Sequence, residues 1–307
     1  VRNAAAHGPR GPHELEDDPE AADVILFVGS RHPLHRDIRS HPLARRFPRR
    51  VVVYDSSDWV IPFFPGIYPS IQKRYYRSDR IWSGFYLRWS AAETISFTDP
   101  KTVPRFLYGF VGSAATHDIR RRVLALRRSD ALLRNTDEEP GRDYGQPQHV
   151  YDSYRAAYGN DLASVRFVLC PRGVGPGSMR VFEAMKAGRV PVIISDEWVE
   201  PEGPAWSSFS LRVRERDVEA IPRLLESTAA KAPEMGQRAR AAWEDWFSTN
   251  VAFQPIATRA TELTRTAWAI EWRSRKMAAL QTLRWHSLRH YVAGPTGRRL
   301  LGLLRRG

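Results

Sequence analysis

The chain has 307 residues, 42% of them hydrophobic, with a formal net charge of +13 and a sequence pI near 10.3. That length supports two domains with their own cores, and no run of eighteen apolar residues interrupts it, which excludes a spanning helix from the reading. The single cysteine, Cys170, excludes intrachain disulfides and a cysteine-cluster metal site. The cationic excess is mostly arginine, since lysine occurs only at 73, 101, 186, 231 and 276. Such an excess implies an acidic partner: a nucleoside diphosphate, an anionic lipid surface or nucleic acid. A GC-rich genome produces the same bias, so charge alone does not choose among them.

In chain order, residues 1–20 mix Gly, Pro and charge without periodicity and read as a flexible N-terminus. Val24–Val28 is a buried strand. His32, His35 and His41 beyond it lack helical i,i+4 spacing and any carboxylate motif, so no metal is expected. Val51–Tyr54 is a second strand that stops at Asp55 and Asp58. Chemistry in open α/β sheets sits beyond the carboxyl ends of strands, which makes these aspartates candidates for a catalytic base, with turn and cap roles as the alternative. The aromatic and arginine-rich stretch from Ile61 to Ser90 reads either as an acceptor groove or as core and rim. Arg105–Ser113 repeats the pattern of strand and Gly-Ser, and a helix over His117–Arg127 follows. Residues 135–147 are turn-like and charged, so the sequence places a domain boundary after 147.

The stretch Arg166 to Asp217 is the most informative. An apolar strand, Phe167–Cys170, enters a loop containing Gly173, Gly175 and Gly177, and a helix is predicted to open at Ser178 as N-cap. Unpaired amides and the dipole at such a helix start favour a phosphate. Val181, Phe182, Ala184 and Met185 share one helical face, Gly188 ends the helix, and Val190–Ser195 is the next buried strand. Cys170, inside a buried strand, is a packing residue.

The series PRG, SMRVFEAMKAGRVPVIISDEW and W-SSFSLRV-E-D resembles the donor-binding region of exostosin-like inverting glycosyltransferases over about fifty consecutive residues. A looser likeness, Phe110, Gly112, Arg121 or Arg122, and Leu124, lies upstream. The resemblance implies a GT-B fold: two Rossmann-like α/β domains facing each other across a cleft, with a C-terminal helical extension. The expected division is a flexible 1–20, an acceptor domain over 21–147, a nucleotide-sugar donor domain over 148–272 and a basic amphipathic tail over 273–307. The helix over Gln254–Trp272 is expected to cross back to the first domain.

The implied reaction moves a sugar from a nucleoside-diphosphate donor, UDP-linked, to a glycan or other hydroxyl acceptor. The loop from Gly173 through Gly177 to Ser178 would cradle the diphosphate, and Arg172 and Arg180 would neutralise the leaving group. Glu183 would accept hydrogen bonds from the ribose, as its equivalent does in similar enzymes, while Asp196 and Glu215 could touch the donor sugar. The base is expected to be Asp58, with His117 second. No D-x-D triplet occurs, so neither a divalent metal nor any other cofactor is expected. The predicted setting is cytoplasmic, with residues 283–307 at an anionic membrane surface and no nucleic-acid partner. The alternative is a non-enzymatic basic protein binding nucleic acid or anionic membranes. A nucleotide-dependent oxidoreductase would require a G-x-G-x-x-G after the first strand, and none stands there.

Overall fold

The computed structural model describes residues 1–8, 11–29, 38, 40–58, 60, 62, 64–87, 94–99, 102–140 and 147–266. A short helix α1 (Arg2–His7) precedes a first parallel sheet of β1 (Ile25–Gly29), β2 (Val51–Asp55), β3 (Gly66–Ile67) and β4 (Ile81–Trp82), in chain order, with α2 (Pro42–Arg46) between β1 and β2. All five residues of β2 are buried, as a β-branched strand covered on both faces must be. His41, one of the three sequence histidines, caps α2 by accepting from the Leu43 amide at 3.2 Å. His32 and His35 lie outside the described residues.

The second sheet contains β5 (Phe106–Gly112), β6 (Ala131–Asn135), β7 (Val165–Pro171), β8 (Val190–Ile194) and β9 (Leu211–Val213), all parallel, in the order β6-β5-β7-β8-β9. Its connecting helices are α3 (Asp118–Leu124), α4 (Gln148–Ala163) and α5 (Arg180–Ala187); α6 (Ile221–Thr228), α7 (Ala232–Trp246) and α8 (Phe253–Thr266) follow. Gly188 ends α5 with φ 73°, a left-handed conformation that glycine adopts without a Cβ penalty. Two parallel sheets flanked by helices make the chain an α/β protein, consistent with the expected GT-B architecture.

The boundary between the sheets falls upstream of the one the sequence suggests. Tyr108 of β5 pairs with Phe167 of β7, so the chain has joined the second sheet by Phe106, and the change of sheet lies between Trp82 and Phe106. The segment after Asn135 is turn-rich because it leads from β6 into α4, a crossover that parallel strands require, and not because it links domains. The aromatic stretch resolves as core: Tyr68, Ile71, Trp82, Phe85 and Tyr86 are all buried.

The two halves are fastened together. Val52, Tyr54 and Phe85 share one buried cluster with Cys170, Val181 and Phe182, and the rings of Phe182 and Phe247 meet edge-on at 5.0 Å, with Phe85 5.1 Å from Phe247. The Trp198 indole donates to the Pro69 carbonyl at 3.1 Å, and the Lys73 amide to the Glu197 carbonyl at 2.8 Å. α8 returns to pack on β2 and β3, the crossing expected of the stretch from Gln254. The predicted basic tail, 273–307, lies outside the described residues. Among the described residues no helix is long and apolar enough to cross a membrane.

Candidate functional site at the switch point of the second sheet

From β5 the chain moves outward to β6, then passes back beyond β5 to β7. Strand order reverses between β5 and β7, and the crevice outside their carboxyl ends is where open α/β sheets bind ligands. Gly112 closes β5 there and Pro171 closes β7.

Two arginines converge on this point. Arg180, half-buried at the start of α5, donates from Nε and a terminal nitrogen to the Val111 carbonyl at 3.0 and 2.7 Å. Arg120, 7% exposed, donates to the Arg172 carbonyl at 2.8 Å and the Ser113 carbonyl at 3.2 Å. Burial, then the charge of Arg180, press the Arg120 guanidinium down from its ordinary pKa, and Asp58 opposes them. A guanidinium keeps its proton, so the pressure measures a buried charge short of counter-charge. The sequence reading matched Arg121 or Arg122 to this place. Arg121 instead faces Asp118 at the surface and Arg122 pairs with Glu219; one residue decides which side of α3 faces the sheet.

The glycine loop is tight on both sides. A side chain at Gly112 would begin 2.1 Å from Arg180, one at Gly173 2.9 Å from Arg120, and one at Gly175 2.6 Å from the Asp58 carbonyl of the first half. The Gly177 amide donates to Ser70 Oγ at 3.3 Å. Ser178 does not cap the helix: Met179 is the N-cap residue without a side-chain bond, and the buried Ser178 hydroxyl is left without a partner. Thr116 Oγ1, 3.8 Å from the Gly173 Cβ position, and Arg172 Nε are likewise buried and unpartnered. Orphaned donors in a native interior call for an acceptor; here they cluster where two arginines already concentrate positive charge.

Asp58 comes to this loop from the first half. The residue is exposed as a whole, yet burial raises the pKa of its carboxylate, with Arg120 opposing. His117 caps α3 through Nδ1, accepting from the Ile119 amide at 3.2 Å. Burial and then Arg172 lower its pKa, against Glu215 and Asp118. His117 and not its neighbour Asp118 is the N-cap of α3, and Asp118 lies in the first turn.

Glu215 stands 3.7 Å from Arg172 and exchanges hydrogen bonds with Asp196, each amide donating to the other's carboxylate at 3.1 and 3.2 Å. Glu183 is 4% exposed and accepts from the Tyr158 hydroxyl at 2.5 Å. Burial raises its pKa, and Arg180 and Tyr158 hold it down. The carboxylate is thus enclosed beside the charge of Arg180. Among the described residues no three His, Cys, Asp or Glu side chains gather to hold a metal ion.

Residues 92–228, which span the whole second sheet, match the model of the Exostosin GT47 domain. The chain is 34% identical over 156 residues to "Exostosin-1 homolog" of Caenorhabditis elegans, covering 47% of this chain and 38% of that one. It is 39% identical over 93 residues to "Probable glucuronoxylan glucuronosyltransferase IRX7" of Arabidopsis thaliana (29% and 21% of the two chains), and 27% identical over 180 residues to "Exostosin-1" of Drosophila melanogaster (54% and 23%). The chain thus spans less than half the length of these curated relatives. The segment 92–228, which carries the candidate site, is exostosin-like.

Proposed function

We propose that this chain is an inverting glycosyltransferase that moves a sugar from a UDP-linked donor to a glycan hydroxyl without a divalent metal. The observation that carries the reading is the convergence of Arg120 and Arg180 on the glycine loop at the switch point of the exostosin-like sheet. The diphosphate rests on Gly173–Ser178, within reach of the unpartnered Ser178, Thr116 and Arg172 donors. As the bond from the anomeric carbon to the diphosphate oxygen breaks, charge grows on the leaving group, and the three arginines stabilise it where the transition state needs it. Asp58, above the loop, takes the acceptor hydroxyl proton as the new bond forms on the opposite face; His117 is the second candidate. Glu215, held by Asp196, orients Arg172. The proposed setting is cytoplasmic, with the basic tail at an anionic membrane surface.

Calorimetric titration with UDP and GDP in EDTA tests the donor site. UDP binding without metal, weakened at least tenfold in Arg120→Lys and Arg180→Ala, is the expected result; folded protein that binds neither nucleotide refutes the reading. Anomer analysis of the product by NMR tests inversion once a donor is found.

A further inference from the structure

A pocket of about 270 Å³ lies on the seam between the two halves, and none of the crevice residues lines it. Its floor is apolar: Ile81 and Trp82 of β4 and Leu263 of α8 are each at most 4% exposed. Its rim is polar, with Ser78 from the turn before β4, Glu202 from the loop after β8, and Arg259 and Glu262 from α8. Arg259 organises that rim. One terminal nitrogen donates to Glu262 at 2.8 Å, the other to Glu202 at 2.5 Å, and the guanidinium carbon lies 6.0 Å from the Trp82 ring centroid. The Tyr76 hydroxyl steadies Glu202 from the first half, donating to it at 3.0 Å. The Trp82 indole N–H is buried without an acceptor among the described residues, the same unmet demand that marks the crevice.

These features select a ligand by elimination. The volume falls below the roughly 300–1,000 Å³ of drug-sized sites, which suits a single ring and not a nucleotide. Two carboxylates against one guanidinium repel an anion. The guanidinium and the orphaned indole donor disfavour a cation. A neutral ring with an apolar face and hydroxyls at its edge meets every demand, because each hydroxyl can donate to a carboxylate and accept from an N–H. That description is a pyranose. We infer that this pocket holds one neutral sugar unit, outside the transfer crevice. The source of the sugar rests on the glycosyl-transfer reading above, which also supplies a role. A glycan gripped at a unit other than the reacting one stays attached between turnovers, and its reacting end reaches Asp58 at a raised effective concentration.

Ser78 is exposed in its turn, so Ser78→Trp fills the pocket from the surface, while Glu262→Gln keeps the shape of the rim and removes one charge. The test is titration of the methyl glycosides of glucose, galactose, xylose, N-acetylglucosamine and glucuronic acid, followed by NMR, against the parent chain and both variants. Inorganic pyrophosphate reports on the crevice in the same samples, and circular dichroism verifies folding. The parent is expected to bind at least one neutral glycoside with millimolar affinity, at least tenfold more tightly than the glucuronoside. Ser78→Trp should lose that binding at least tenfold and keep pyrophosphate within about twofold; Glu262→Gln should narrow the gap between neutral sugar and uronate. A folded parent that binds none of the neutral glycosides, binds the glucuronoside as tightly, or binds them unchanged in Ser78→Trp overturns the sugar pocket. Absent pyrophosphate binding in that parent strikes the donor reading instead, and the glycoside titration still decides the pocket.

Discussion

Arg120 and Arg180 lean on one aromatic ring: their guanidinium carbons lie 5.7 and 4.9 Å from the centroid of Phe110. Two cations held this close repel, and the negative face of a ring offsets only ~0.5–2 kcal/mol of that each. An anion between them would relieve the rest. Pyrophosphate should therefore raise the melting temperature, by the equivalent of about 2.7 kcal/mol at a hundredfold excess over Kd. Arg120→Lys keeps a charge but cannot hold both the Arg172 and Ser113 carbonyls and face the ring, so it should lose most of the shift. Differential scanning fluorimetry decides; equal shifts in the two proteins would remove Arg120 from the site.

Gly112 at the end of β5 and Gly175 in the loop differ in what a methyl group would meet. At Gly112 it meets the guanidinium end of the Arg180 side chain, and at Gly175 the Asp58 backbone and Ser70. Gly112→Ala should fold with little loss, move Arg180 and weaken nucleotide binding. Gly175→Ala should push the halves apart at a cost of about 1–3 kcal/mol. Urea melts set beside titrations separate the two, and a Gly175→Ala variant as stable as the parent would contradict the close seam.

The sequence was legible where physics is local. The Phe167–Cys170 run, the left-handed Gly188 and the Val190 strand are encoded by neighbours, and all three stand where periodicity put them. It was opaque where placement depends on partners distant in the chain. Nothing near Tyr108 announces that it pairs with Phe167 and not with the first sheet. Nothing near Arg120 distinguishes it from Arg121 and Arg122 except the helical angle, which shows only once the sheet is in place. Nothing near Glu183 announces that Tyr158, 25 positions upstream on another helix, covers it.

That cover gives a pH-dependent prediction. Burial raises the Glu183 pKa above its unfolded value, so folding favours its protonated form, and the stability this contributes declines as pH rises from the ordinary carboxylate range through the raised value. Tyr158→Phe removes a donor to the ionised form and should extend the decline. The variant should lose about 1–3 kcal/mol at pH 8 and measurably less at pH 5, where Glu183 carries more of its proton. Urea denaturation at both values checks it. A loss independent of pH would mean that Tyr158 acts through packing alone.

The choice of base is settled by variants read together with their pH profiles. The two candidates are displaced towards each other, so the position of the acid limb does not choose between them. Asp58 is raised above 3.8 by its crowded surroundings, and His117 is lowered below 6.5 by burial and Arg172. Either must be unprotonated to accept a proton, so kcat/KM rises with pH through the pKa of whichever acts. Asp58→Asn preserves shape and should cost about 10²–10⁴-fold in rate if Asp58 is the base, with donor affinity nearly intact. His117→Asn keeps an N-cap oxygen for the Ile119 amide, which separates the chemistry of His117 from its hold on α3. It should leave the acid limb of the profile where it was. An acid limb that vanishes in His117→Asn, together with an active Asp58→Asn, would transfer the proton to the imidazole and reverse the order proposed for the two residues.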